Sequence, residues 1–325
     1  MKIGSLNLQN GLLLGPMAGF SDRAMRVVSH MHGAEYTVTE MVSATAVLYG
    51  SLKTHELARI RSDEGPVALQ IFGKDPEIMA EGTRRLLEGC LDTPPVAIDI
   101  NMGCPVAKVY GNGEGSALMK EPRLIEKITR AVTDATTLPV TVKLRAGIDD
   151  RSKNAVECAK YAEAGGASAV TVHGRTRAQM YSGLADRTVI REVKRALSIP
   201  VVANGDVRSL SDYLSIKEET GADGVMIARG AIGNPFLFSE ISAFLKGEPY
   251  TPPTMHERAE MALRQLHLAV LDKGEGTAVR EARGSLCHYF QSARGVARLR
   301  EKIHRAEAEA EVKEILADFL QQMQT

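Results

Sequence analysis

The sequence predicts an α/β chain: a (β/α)8 TIM barrel followed by a small all-helical domain. Three observations carry the prediction. Short β-rich runs recur at a spacing of about 25–45 residues, as expected when each parallel strand needs a crossover helix. Glycine-rich and polar signatures follow nearly every run, and a closed barrel brings all such strand ends to one face. Beyond a proline-rich break at 247–253 no further strand signal occurs. A doubly wound open sheet is the alternative on pattern alone; the signatures at the strand ends favour the barrel.

The runs at 12–14, 36–39, 67–71, 96–100, 140–144, 169–172, 201–203 and 224–227 read as its eight strands. The segments between them have helical spacing. After Pro122, a favoured first-turn residue, Leu124, Ile125, Ile128, Ala131 and Val132 fall on one face. Val189, Ile190, Val193 and Leu197 repeat the pattern. The stretch Gly-Glu-Pro-Tyr-Thr-Pro-Pro at 247–253 reads as a linker. Residues 255–325, rich in Ala, Leu, Glu and Arg, read as several helices. The expected division is therefore a catalytic barrel at 1–246 and a helical domain at 247–325.

Composition bounds the function. The chain is 44% hydrophobic and 25% charged, with a formal net charge of +0. That is ordinary globular composition, and it excludes a generic polyanion binder, so any nucleic-acid contact must come from a local patch. Cys90, Cys104, Cys158 and Cys287 form no C-x-x-C pair, which argues against a zinc site or a redox dithiol and fits a reducing cytosol. No signal-peptide core and no run of membrane-spanning length is seen, so the expectation is a cytoplasmic protein with no membrane partner. No obligate protein partner is evident.

The most informative stretch is Asp99-Ile100-Asn101-Met102-Gly103-Cys104-Pro105, directly after an apolar run. A Gly-Cys-Pro turn at a strand end lifts one thiol from the core and holds it in place. Asn101, three residues earlier, offers an amide donor and a carbonyl acceptor. Gln70 lies within a strand, where a buried amide is either a satisfied core group or a ligand contact. Lys143 and Arg145 share one strand face and point two cations at the site if that face lines the barrel mouth. Pro16-Met17-Ala18-Gly19 follows the first strand and His173-Gly174-Arg175 the sixth. Asn204-Gly205-Asp206 and Ala228-Arg229-Gly230 follow the seventh and eighth. Bare backbone N–H groups after the last two strands suit a phosphate, and Arg229 adds a charge-assisted contact. Together these describe a planar, phosphate-tailed cofactor across the mouth. The glycine-rich run at 111–116 does not follow a strand, so it fails as a dinucleotide fingerprint and reads as a mobile loop near Cys104.

On these residues the chain resembles the tRNA-dihydrouridine synthases, a family of FMN-dependent oxidoreductases, over essentially its whole length. The resemblance rests on Pro16-Met17-Ala18-Gly19 with Asp22, Gln70-Ile71-Phe72-Gly73, Asn101-Met102-Gly103-Cys104-Pro105 with Lys108, and Val142-Lys143-Leu144-Arg145. It continues through His173-Gly174-Arg175-Thr176, Gln179, Tyr181, Gly183, Ala185-Asp186, Asn204-Gly205-Asp206, and Arg229-Gly230 with Gly233-Asn234-Pro235. One departure is Arg187, where the family commonly has tryptophan; this chain has none.

The resemblance implies a barrel that carries FMN, NADPH as electron donor, and a helical domain that helps hold tRNA. The reaction would reduce the C5=C6 bond of a D-loop uridine to 5,6-dihydrouridine. That bond is conjugated to the C4 carbonyl, so hydride adds at C6 and C5 then needs a proton. By the family pattern Cys104 supplies it, which suits a thiol whose pKa is not strongly lowered. Pro16, Met17, Ala18 and Gln70 would contact the flavin ring and Lys143 its N1/O2 edge. His173, Asn204, Gly205, Asp206, Arg229 and Gly230 would hold the ribityl phosphate. Asn101, Arg145 and Arg175 would face the substrate. Between 280 and 305 seven Lys/Arg stand against two Glu, and Arg298 and Lys302 lie on one helical face suited to tRNA phosphates. Two rivals share parts of this pattern: an FMN barrel acting on a free small molecule, and a non-catalytic tRNA-binding module.

Overall fold

The computed structural model describes residues 1–89 and 92–323; Cys90 and the last two residues of the expected helical domain lie outside them. Eight parallel strands form the barrel: β1 (Leu12–Leu14), β2 (Tyr36–Val38), β3 (Val67–Phe72), β4 (Ala97–Met102), β5 (Val140–Arg145), β6 (Ala169–His173), β7 (Val201–Asn204) and β8 (Gly224–Ile227). β8 pairs with β1, and β2 pairs with β3 through Thr37↔Val67 and Val38↔Ala68, so the sheet closes on itself. Closure decides against the open sheet. Two short features carried no clear sequence signal. Val42–Ser43 extends pairing along β3 beyond β2. Lys2–Ile3 and Leu6–Asn7 make a small antiparallel hairpin.

Strand alternation sorts the side chains into two sets. Leu12, Leu14, Leu69, Ile71, Ile98, Ile100, Val140 and Val142 point outward into the layer shared with the helices. Leu13, Tyr36, Val38, Ala68, Ala97, Ala169, Val202 and Met226 point inward, where Ile3 and Leu8 of the hairpin region join them. The barrel is therefore apolar and plugged at one end. Farther along the strands the inward residues turn polar: Gln70, Asp99, Thr141 and Thr171, then Asn101, Lys143, Arg145, His173 and Asn204. The helices follow the periodicity read from the sequence. Pro122–Asp134, with proline in its first turn, buries Ile125, Ile128 and Val132. Arg187–Ala196 buries Val189, Ile190 and Val193 and is capped by Asp186, whose carboxylate accepts from the Thr188 N–H.

Phe236–Lys246 ends at Gly247, whose left-handed φ of +70° stops the helix. Met255–Lys273 then opens a second hydrophobic core, built on Leu266, Leu286, Phe290, Leu299, Leu316 and their neighbours. Its long first helix lies against Arg23–Met31 of the barrel. Lys273 Nζ meets Asp22 at 2.6 Å, and Arg61 meets Asp272 at 3.1 Å. Among the described residues no helix is long and apolar enough to cross a membrane.

Candidate active site

Because all eight strands run the same way, their last residues converge on one mouth. A cavity of about 960 Å³ opens there, between the strand ends and the helical domain. Pro16, Met17, Ala18, Gln70, Asn101, Cys104, Lys143, Arg145, His173, Asn204, Arg229 and Gly230 all reach it. A smaller recess joins it at the ends of β7 and β8, lined by His173, Gly205, Asp206, Arg229 and Gly230 among others.

Cys104 sits just past β4. Its backbone N–H donates to Asn101 Oδ1 at 2.9 Å, and the Gly103 N–H donates to the same oxygen at 3.2 Å. Asn101 Nδ2 donates to Gln70 Oε1 at 2.9 Å and faces Met41 Sδ at 3.7 Å. Gln70 is thus a satisfied amide, fully buried, that also reaches the cavity floor. Cys104 is 8% exposed, and burial pushes the pKa of its thiol up, against the weaker pull of the Val106 N–H, Arg145 and Lys143. It is a neutral thiol at pH 7. The glycine-rich loop behind it is fastened, where the sequence suggested mobility. The Ser116 N–H and hydroxyl both donate to Cys104 O, at 3.1 and 2.8 Å. A Cβ on Gly115 would lie 2.9 Å from that of Cys104.

Lys143 and Arg145 enter from β5. Lys143 Nζ donates to Asn204 Oδ1 at 3.0 Å, while Asn204 Nδ2 donates to Met226 O at 2.7 Å. Desolvation, helped by Arg145, lowers the Lys143 pKa to about 8. Arg145 is 5% exposed and is aimed by three carbonyls: Nε to Gly103 O at 2.8 Å, Nη1 to Thr176 O at 2.9 Å and Met180 O at 3.0 Å. His173 accepts the Arg175 N–H on Nδ1 at 3.1 Å, and burial among Lys143, Arg145, Arg175 and Arg229 holds its pKa well below the usual value. The ring is neutral, and this bond assigns its proton to Nε2.

The recess at β7 and β8 is made of bare backbone and cations. A Cβ on Gly230 would fall 2.1 Å from Val207 O, so only glycine lets these two loops approach. Gly205 has φ +131° and its Cβ would meet Ala185 at 2.6 Å. Asp206 holds a left-handed φ of +54°. Its carboxylate joins Arg175 at 2.8 Å and Arg229 at 3.4 Å, and accepts the Ala185 N–H at 2.8 Å. Asp206 therefore aims Arg229.

Of the three expected substrate groups outside the cavity wall, Arg175 was expected at the mouth, and Arg298 and Lys302 on the helical domain. Arg175 is 2% exposed and outside the cavity wall. Its guanidinium bonds Asp206 and the carbonyls of Ser182 and Gly183, so it folds the 176–185 loop over the mouth. This pairing with Asp206 is invisible in a linear motif. Arg298 and Lys302 stand on the exposed face of Val296–Arg305, opposite buried Leu299 and Ile303, and outside the cavity. Arg187 is also remote: it bonds Glu219 at 2.5 Å and the Ser215 hydroxyl, stapling two outer helices. Conversely, Arg208, Arg258, His288 and Gln291 reach the cavity without having been singled out. Arg208 carried a readable signal, a cation just past the seventh strand. The other three come from the helical domain, and no local pattern in its helices points to a cavity on a different core.

Comparison with known proteins adds sequence breadth to this geometry. The family model described as "Dihydrouridine synthase (Dus)" matches residues 13–324. A Rickettsia conorii protein named probable tRNA-dihydrouridine synthase is 39% identical over 322 residues, 98% of this chain and 96% of its own. The Pseudomonas putida tRNA-dihydrouridine synthase B is 38% identical over 329 residues, 100% of this chain and 96% of its own. Among solved structures, a variant of NCR from Zymomonas mobilis superimposes with TM-score 0.51 at 15% identity, covering 79% of this chain and 93% of that one. Histamine dehydrogenase from Rhizobium sp. 4-9 gives 0.56 at 12%, covering 88% of this chain and 50% of that one. At such identities the structural likenesses speak for the barrel alone.

Proposed function

The chain belongs to the dihydrouridine synthase family, and from that premise we propose that it reduces the C5=C6 bond of a D-loop uridine in tRNA to 5,6-dihydrouridine, using FMN and NADPH. One observation carries the reading. A buried neutral thiol, a desolvated ammonium and a cationic glycine cradle share a single cavity at the barrel mouth.

The residues fit FMN. The recess at β7 and β8 offers backbone N–H groups, Arg229 and the neutral His173 to a phosphate. Lys143 is poised for a partner: burial opposes its charge, and an anionic ring edge would restore it. Pro16, Met17, Ala18 and Gln70 supply a mostly uncharged floor for a flat ring. FMN held there and reduced by NADPH would supply the hydride that C6 of the uracil needs.

Everything else falls to the chain's own groups. Negative charge develops toward C5 and O4 of the base, and Cys104 Sγ gives its proton to C5. Burial keeps that proton on the thiol until it is needed. Asn101 spends its carbonyl on the Cys104 turn; the Nδ2 hydrogen facing Met41 is the one it can lend to the uracil edge. Arg145, aimed by three carbonyls, keeps a fixed positive charge near the developing anion. The base must leave the folded tRNA to reach this depth, which loop nucleotides do at lower cost than paired ones. Arg298 and Lys302 take tRNA phosphates outside the cavity. Such work belongs in the cytoplasm, with the substrate.

The test is dihydrouridine formation in unmodified tRNA under anaerobic conditions, with purified protein, FMN and NADPH, read by mass analysis of the nucleosides. Product in tRNA and none from free uracil or an enone is the expected result. Turnover of a free enone without RNA would move the substrate to a small molecule.

A further inference from the structure

Asp99 lies one layer below the cavity floor, on β4, outside the cavity wall and 2% exposed. It belongs to a motif from which Asn101, Gly103, Cys104 and Pro105 reach the cavity, yet it does not line the cavity itself. Its two oxygens have separate partners. Thr141 Oγ1 donates to Oδ1 at 2.5 Å and Gln70 Nε2 to Oδ2 at 2.6 Å. From Gln70 the bonds run on to Asn101, and from Asn101 to the backbone N–H groups of Gly103 and Cys104.

Side-chain amides have no steric preference between their oxygen and nitrogen ends, so only hydrogen-bond partners fix which way they point. This relay has two unambiguous ends. An ionised carboxylate only accepts, and backbone N–H groups only donate. Between them there is one consistent arrangement: Gln70 must turn its nitrogen down to Asp99 and its oxygen up to Asn101. Asn101 then turns its oxygen to Cys104. Gln70 and Asp99 are buried, at 0% and 2% exposure, so a broken link between them finds no water to replace it.

We propose that Asp99 is a positioning residue: from beneath the cavity it sets the direction of the Gln70–Asn101 amide relay and so holds the Cys104 thiol where the proton is delivered. The inference rests on Cys104 being the proton donor. Lys143 from β5 and Tyr36 from β2 are the titratable groups that face the carboxylate. Because the relay needs an acceptor at position 99 and not specifically a charge, Asp99→Asn should preserve it and Asp99→Leu should cut it. Gln70→Met, close in shape to the native side chain, cuts the same relay one step higher.

The experiment separates the two half-reactions of the holoenzyme by stopped flow: flavin bleaching by NADPH, then flavin reoxidation by unmodified tRNA. Asp99→Leu, outside the cavity wall, should slow reoxidation about 10–100-fold, the scale for a misplaced reacting group, and leave bleaching unchanged; Gln70→Met, which also alters the flavin floor, should slow reoxidation at saturating FMN by at least as much. Asp99→Asn should stay within about threefold of the parent, since the acceptor survives. In a Cys104→Ala background Asp99→Leu should add nothing, because both act on one step. If Asp99→Leu is insoluble, Asp99→Ala, which removes the same acceptor from outside the cavity wall, decides. Parent-speed reoxidation in the relay variants, beside a slow Cys104→Ala, would overturn the inference alone. So would Asp99→Leu losses that add to Cys104→Ala or strike both half-reactions alike. A fast Cys104→Ala would overturn the proton-donor reading, and with it the inference that depends on it.

Discussion

The two walls of the cavity rise from one scaffold and hold opposite chemistry. The wall on β3 and β4 is a closed set of amides ending in a thiol that burial keeps protonated. The wall on β6 to β8 gathers His173, Arg229, bare glycine backbone and, through Asp206, the aim of Arg229. Lys143 stands at the seam, growing from β5 and bonded to Asn204 on β7. A proton donor needs burial that outweighs its anion-stabilising neighbours, as it does at Cys104 against the Val106 N–H, Arg145 and Lys143. An anion anchor needs accumulated positive charge and backbone that can come close. Parallel strands let the two be built a few ångströms apart, because each strand contributes its own inward residues at its own level.

The sharpest way to break the comparison is to empty one wall and watch the other. Cys104→Ala should slow flavin reoxidation by tRNA about 10²–10⁴-fold, the usual worth of a positioned acid, and leave NADPH bleaching at parent speed. Equal losses in both half-reactions would show that the walls do not act separately. The complementary change is Arg229→Ala. A charge-assisted contact is worth roughly 1.5–3 kcal/mol, so FMN should bind about 10–100-fold more weakly, measured by equilibrium dialysis. Once the flavin is saturating, the reoxidation rate should recover.

The seam can be probed with pH. Burial holds the Lys143 pKa at about 8 in the folded protein, against 10.5 for a free lysine side chain. Between those values the unfolded chain holds a proton that the folded apoprotein has released. Apoprotein stability from this group therefore rises with pH across that window. Binding an anionic group has the opposite sign, since it favours the ammonium. FMN affinity should fall as pH climbs above about 8, approaching a tenfold loss per pH unit for a single linked proton. Lys143→Met should flatten the profile measured by flavin fluorescence; an unchanged slope would place the linked proton on another group.

The barrel and most of its mouth were legible in the sequence because strand ends carry their chemistry locally. Asn101, Cys104, Lys143 and Asn204 each sit at or just past a predicted strand, and one face collects them all. What escaped reading was fixed by distant partners. Arg175 looked like a substrate group in its motif, but the half-buried carboxylate of Asp206, thirty-one residues on, pairs with it. Asp99 looked like part of the strand, and only the pairing of β3, β4 and β5 reveals what its carboxylate holds. His288 and Gln291 belong to a helical core whose placement over the barrel depends on contacts such as Lys273–Asp22, far apart in the chain.

The smallest effect should come from outside both walls, on the basic helix Val296–Arg305. Its cations are not equivalent. Arg305 is paired with Glu301 at 2.7 Å, and Lys302 lies 3.6 Å from Asp318, while Arg298 stands exposed on the same face. Exposed pairs of this kind are weak enough for a phosphate to displace the carboxylate. If Arg298 and Lys302 each neutralise one tRNA phosphate, replacing both with alanine should reduce the slope of log affinity against log salt by about 1.4–1.8. Affinity should drop several-fold at low salt and hardly at all at high salt, where counterion release no longer drives binding. The reoxidation rate at saturating tRNA should not change, because neither residue reaches the cavity. A slope that stays put would remove this helix from the tRNA-binding face. A changed saturating rate would mean instead that it orients the base for the Cys104 wall, and the separation between holding tRNA and reducing it would fail there.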